Sequence, residues 1–283
     1  MAEKRMGSIC GIGMPRPAFV AALSGRRGGR GRRWCAAALL VVLMSATGCS
    51  VTVAGAARPP ANPTPRSLAG QALKRVLLGR SALSRIVKES LEPDPRFPPL
   101  FGGPEMLGGA GMGWSESCLG VAVMMQRGAY RSANVKDVAL TTWRPDAGSA
   151  AAVTRVQEAA ISLPTAADAD ALFATFSRQW QECDGKTVPI SGGSLPLEVQ
   201  VSHVQSAVSV VAATISMRWS TAPLFSPPSL PAARAVGVRD NCLIEVEVDF
   251  IGTSGPSPGA QRDINSSALD IAQVMRDKVS ALS

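Results

Sequence analysis

Apolar residues between positions 68 and 283 recur at helical spacing in some stretches and at alternate positions in others, and the switches between the two periods predict the element order. Leu68, Ala72, Leu73, Val76 and Leu77 fall on one helical face. Ala82, Leu83, Ile86 and Val87 repeat the pattern after Gly79-Arg80-Ser81, so two short helices are expected, with Ser81 able to cap the second. Residues 93–113 carry Pro93, Pro95, Pro98, Pro99 and Pro104 among many glycines, which predicts a long loop without regular structure. The apolar run from Cys118 to Met125 reads as a helix with Ser115 as its candidate cap. Strands are expected over residues 135–143 and 153–163. Residues 166–183 form the strongest helix, with Leu172, Phe173, Phe176 and Trp180 on one face, Asp168 and Asp170 in the first turns, and Asp184-Gly185 ending it. Strand patterns then follow at 187–190, 197–203, 207–219, 234–239 and 242–250, the last two joined by the turn residues Asp240-Asn241. A Pro-rich loop occupies 222–231. A closing helix over 260–282 has Ile264, Ala268, Ile271, Val274, Met275 and Val279 as its expected buried stripe. The fold class is α+β, one twisted, mostly antiparallel sheet packed against helices.

The segment upstream has a different character. Arg26, Arg27, Arg30, Arg32 and Arg33 run into an apolar stretch from Trp34 to Met44 that is too short for a permanent span and matches a signal-peptide core. Ser45-Ala46-Thr47-Gly48-Cys49 follows and resembles the lipobox of bacterial lipoproteins, with Ala46 where Leu is usual. On that reading the chain is cut before Cys49, whose thiol carries a diacylglycerol, and each buried CH2 of the acyl chains contributes ~0.8 kcal/mol of anchoring. The competing readings are an ordinary secretory signal cut elsewhere and an uncleaved anchor helix. The stretch before Arg26 is long for a signal, so Met14 is an alternative start. Gly28-Gly29 follow the paired arginines where a twin-arginine motif wants Phe or Leu, which favours the general secretory route. Residues 50–65 are small, Pro-rich and almost uncharged, a tether reaching up to ~3.1 Å per residue. The expected layout is a signal peptide over 1–48, a lipidated tether over 49–67 and a domain over 68–283, held by membrane lipid at the extracytoplasmic face of the cell membrane.

Charge sharpens this layout. The net formal charge of +8 and the isoelectric point near 9.6 suggest an anionic partner, but residues 1–48 hold eight basic residues against the single acid Glu3. The remainder carries 21 basic against 20 acidic residues and is near neutral. A nucleic-acid-binding role is therefore excluded, because the basic residues leave with the signal.

Three cysteines remain in the domain, in a compartment where thiols tend to pair. Cys118 and Cys183 each lie on or beside an expected helix, whereas Cys242 begins a core strand that suits a small apolar residue. The reading is a Cys118 to Cys183 bridge with Cys242 as a buried free thiol; the rival pairing is Cys183 with Cys242.

Cys118-Leu119-Gly120, Tyr130, the strand ending at Trp143, Val156-Gln157-Glu158-Ala159, Leu163-Pro164-Thr165-Ala166, Trp180-Gln181-Glu182-Cys183-Asp184-Gly185-Lys186 and Val238-Arg239-Asp240-Asn241 occur in succession. This succession resembles the PknH-like extracellular domain, the sensor domain of a mycobacterial receptor Ser/Thr kinase shared with a group of mycobacterial lipoproteins. The resemblance spans roughly Leu68 to Leu282. It implies a two-layer α/β fold with a ligand cleft and no established catalytic residues. Members usually carry two bridges; here the later pair is missing, while the first matches Cys118 and Cys183.

Residue by residue, chemistry is sparse. His203, the single histidine, lies in an alternating strand and reads as a half-exposed strand residue. There is no Gly-x-Ser-x-Gly elbow, metal-ligand spacing or phosphate loop, so no metal, cofactor or catalytic residue is expected and the protein reads as a non-enzyme. Glu245, Glu247 and Asp249 alternate on one face of a strand and read as its solvated side, opposite Ile244, Val246 and Val248. Met106, Met112, Met124 and Met125 flank the Gly-rich loop and read as core packing. The expected function is a sensor-like or carrier module at the envelope that binds a small or lipid-like ligand in a cleft, by residues the sequence does not name. An envelope adaptor for a protein partner is the second reading and a hydrolase the third.

Overall fold

The computed structural model describes residues 66–109, 118–148, 151–190, 197–219, 229–252 and 258–283. The expected signal segment, the expected lipidation site Cys49, most of the expected tether, Ser115 and Met112 lie outside them. A 3-10 helix over Gly70–Val76 leads to α1 (Arg80–Val87), then β1 (Leu91–Pro93), β2 (Leu100–Gly102), a 3-10 turn at Pro104–Met106 and α2 (Leu119–Ala122). β3 (Asp137–Pro145), β4 (Val153–Ser162) and α3 (Ala166–Cys183) follow, then β5 (Thr187–Ile190), β6 (Leu197–Ala207), β7 (Val210–Trp219), β8 (Leu230–Arg239), β9 (Cys242–Phe250) and α4 (Pro258–Leu282).

All the strands join one antiparallel sheet in the order β1-β3-β4-β9-β8-β7-β6-β5, with β2 beside β1 along the same edge of β3. Strand neighbours point to opposite faces, and both faces are covered. On one, Val138, Ile161, Val211, Ile215, Val236 and Leu243 pack under α2 and α3 through Leu172, Phe176 and Trp180. On the other, Val156, Ala160, Ala212, Ala235, Ile244, Val246 and Val248 pack under α4, α1 and the first 3-10 helix. The layers are therefore three, one more than the resemblance implied.

α3 has the expected bounds because its first turn is capped: Thr165 Oγ1 accepts the Asp168 N–H at 3.1 Å. Its C-terminal residue, Cys183, is bonded to Cys118, which tethers α2 to α3. Closing a separation of 65 residues contributes about 4 kcal/mol on the chain-entropy model. Cys242 is a free buried thiol, pushed up to about 12 by burial, and so is inert as a nucleophile.

Several local expectations change. α1 is capped by Gly79 without a side-chain bond, because the helix already begins at Arg80 and leaves Ser81 inside it. The stretch after Pro93 is not wholly irregular: the edge of β3 offers unpaired backbone groups, and β1 and β2 take them up end to end. α2 has only four residues. In α4, Val274 is 40% exposed and Ala272 is fully buried in its place. The Asp240-Asn241 turn joins β8 to β9 as expected, but the Asn241 side chain is buried, accepting the Leu68 N–H at 2.8 Å and donating to the Leu68 and Leu163 carbonyls at 2.9 Å. It thus fastens the start of the domain to the β8–β9 hairpin.

Candidate functional site

The edge of β3 is covered incompletely. β1 pairs with Trp143 to Pro145 and β2 with Val138 to Leu140, and the Asp94 N–H still reaches the Thr142 carbonyl at 3.0 Å, which leaves the edge open at residue 141. Beyond Asp94 the chain turns away from β3, with the Asp94 carbonyl accepting the Phe97 N–H at 3.0 Å and its carboxylate taking Arg96 Nε at 3.0 Å and Nη2 at 2.7 Å. Beside this gap opens a cleft of about 700 Å³, within the range of small-molecule sites. Its floor is Leu78, Leu140, Thr141 and Trp143, its walls are Leu77, Pro93, Pro99, Leu100 and Leu282, and Lys74, Arg75 and Lys278 stand among them. These residues come from the first 3-10 helix and its exit, the β1–β2 segment, β3 and the end of α4. Lys74 Nζ lies 4.7 Å from the centre of the Phe101 ring, and Lys278 Nζ donates to the Leu77 carbonyl.

Directly beneath the floor sits Glu158, with no exposed surface. One carboxyl oxygen accepts the Leu78 N–H at 2.9 Å and the other the Trp143 indole N–H at 3.2 Å. Burial pushes its carboxyl up to about 8, against the two N–H donors and the Lys278 ammonium, which pull it down. The carboxyl is therefore mainly protonated at neutral pH, and it clamps two lining residues in place.

The opposite face corrects the reading of Glu245, Glu247 and Asp249 as a solvated row. Glu245 is 1% and Glu247 7% exposed, because α2, α3 and residues 123–135 cover that face too. The compensating charge is Arg234, itself fully buried on β8 and in register with Glu247. Its guanidinium donates to Glu245 at 3.0 Å, Glu247 at 3.1 Å and the Gly120 carbonyl at 3.0 Å, and lies 5.9 Å from the Trp180 ring. Glu245 also accepts the Met125 N–H and the Tyr130 hydroxyl. Arg155 holds Asp249 at 2.7 Å and Glu247 at 3.3 Å. Burial and Glu247 push Asp249 up to about 7, and burial and Glu245 raise the Tyr130 phenol further. The cluster pins residues 120–130 onto the sheet. A second hollow beside it, about 380 Å³, has its Arg127 already engaged with the Glu105 and Leu107 carbonyls.

His203 is exposed at an irregularity in β6, with a left-handed φ of 54° and its Nδ1 3.1 Å from Ser202 Oγ. It lies outside the cleft lining. Met124 and Met125 are in the core.

Residues 68–278 match the model of the PknH-like extracellular domain. The chain belongs to this family. Among solved structures, the extracellular domain of PknH from Mycobacterium tuberculosis superposes with a TM-score of 0.61 at 18% identity, covering 77% of this chain and 100% of that one. At that identity the likeness is one of fold. An uncharacterised Mycobacterium smegmatis protein is 13% identical over 74% of this chain and 96% of its own, with a TM-score of 0.36, and supports no argument. No curated protein matches. The sheet and flanking helices are thus those of a PknH-like domain, and membership of an extracellular-domain family fits an extracytoplasmic location.

Proposed function

We propose that the protein is an envelope lipoprotein, anchored through acylated Cys49, whose PknH-like domain binds a small or lipid-like ligand in the cleft beside β3. The observation that carries this is the cleft itself: about 700 Å³ with a largely apolar lining and polar groups confined to a few positions, the usual make-up of a small-ligand site. The lining places no nucleophile beside a base, which supports a binder over a hydrolase. Phe97 and Leu100, 46% and 42% exposed at the β1–β2 segment, favour a protein partner as the second reading.

Native mass spectrometry of a chain beginning at Ser50, produced in an oxidising bacterial envelope, tests the proposal. A mass excess that disappears on denaturation, and is absent from Leu100→Arg, is the expected result. A bare domain in both forms, with Phe97→Ser abolishing capture of one defined envelope protein, would replace the ligand reading with the adaptor.

A further inference from the structure

The cleft's charges carry more than its volume does. Lys74 and Arg75 close the first 3-10 helix, and their position at a helix end would by itself account for them. Lys278 comes from α4, at the far end of the chain, and meets them on the same cleft. Among the described residues, none of the three forms an ion pair with a carboxylate. The domain as a whole is near neutral, and the buried cation of the opposite face, Arg234, is matched by Glu245 and Glu247. Glu158, which is bonded to two lining residues, keeps its proton through neutral pH and points its oxygens at the Leu78 and Trp143 N–H groups. Three like charges gathered around an apolar floor repel one another and raise the potential over the cleft, which an anion relieves.

Granted the cleft-binding reading, we propose that the ligand is an acidic single-chain amphiphile, its anionic head on Lys74, Arg75 and Lys278 and its apolar chain along Leu78, Leu140 and Trp143. The two halves need each other. An anion without a chain would meet exposed lysines in full competition with water and salt. A neutral apolar chain would gain the floor and leave the cations unmatched.

Isothermal titration of the chain beginning at Ser50 compares decanoate, 1-decanol, decylammonium and acetate at one ionic strength. Decanoate is expected to bind about tenfold or more tightly than 1-decanol, and decylammonium and acetate are expected to give no heat of binding. Replacing both Lys74→Glu and Arg75→Glu, at exposed positions, lowers decanoate affinity by about tenfold and leaves 1-decanol unchanged; Lys278→Met acts in the same direction. Equal affinity for decanoate and 1-decanol, or decanoate binding untouched by these variants, overturns the acidic-head assignment and leaves the cleft reading standing. Silence from all four probes removes the cleft reading as well. Binding to phosphatidylglycerol vesicles without binding of monomeric decanoate would show that the cations meet a membrane surface, and would likewise overturn the proposal.

Discussion

Replacing Glu158 by Gln isolates the buried carboxyl that bonds the cleft floor. In the native domain its carboxyl is pushed up to about 8 by burial, whereas an exposed glutamate titrates near 4.5. Between these values the native state holds a proton that the unfolded chain has released. Stability from this group is therefore fully present below pH 4.5 and is lost as pH rises through 8. At about 1.4 kcal/mol per pH unit, the loss across that window is on the order of 5 kcal/mol. The amide that replaces the carboxyl is neutral at every pH but can accept only one of the two N–H bonds from Leu78 and Trp143, a cost of about 1 kcal/mol. Glu158→Gln should thus be slightly less stable than the parent at pH 5 and more stable by about 4 kcal/mol at pH 9. Urea unfolding followed by tryptophan fluorescence at pH 5, 7 and 9 measures both, and subtracting the two profiles cancels the contribution of Asp249, whose carboxyl also titrates late. Parallel profiles, with no crossing, would refute the buried-proton account.

Arg234→Met leaves Glu245 and Glu247 without their guanidinium, and should cost about 3 to 5 kcal/mol in urea unfolding; a loss below 1 kcal/mol would show the cluster to be solvated. Val274→Lys should change stability by less than about 0.5 kcal/mol, whereas Ala272→Lys should prevent folding, reversing the order that the apolar stripe of α4 suggests. Cys49→Ser in the full-length chain should move the protein from the detergent phase to the aqueous phase on Triton X-114 partitioning of cells and should stop labelling by palmitate.

How much of this was legible in the sequence depends on whether the signal is local. α3 is readable because its cap, its periodic face and its terminator lie within one stretch, from Thr165 to Gly185. β9 is readable as a strand but not as to its faces: alternating acids and aliphatics look alike whether one face is wet or both are buried. A cue to the difference does exist. An arginine stands alone in the small apolar run of β8, and a two-residue turn at Asp240-Asn241 sets Arg239 against Cys242 and hence Arg234 against Glu247. Counting back from the turn would have buried the charge pair. The cleft had no such cue, since its lining is assembled from residues near 75, 95, 140 and 280, and only the sheet order brings them together. Proline spacing in the β1–β2 segment pointed to a loop, and the strands it forms exist only because the edge of β3 is there to pair with them.

The central claim is that a ligand occupies the cleft beside β3, and amide chemical shifts locate it most directly. Decanoate is added to the 15N-labelled chain beginning at Ser50 and two-dimensional spectra are compared. The account predicts shifts concentrated at residues 74–79, 93–100, 140–143 and 278–282 together with the Trp143 indole N–H. Shifts centred on residues 120–135 and α3, or none at all, would contradict it.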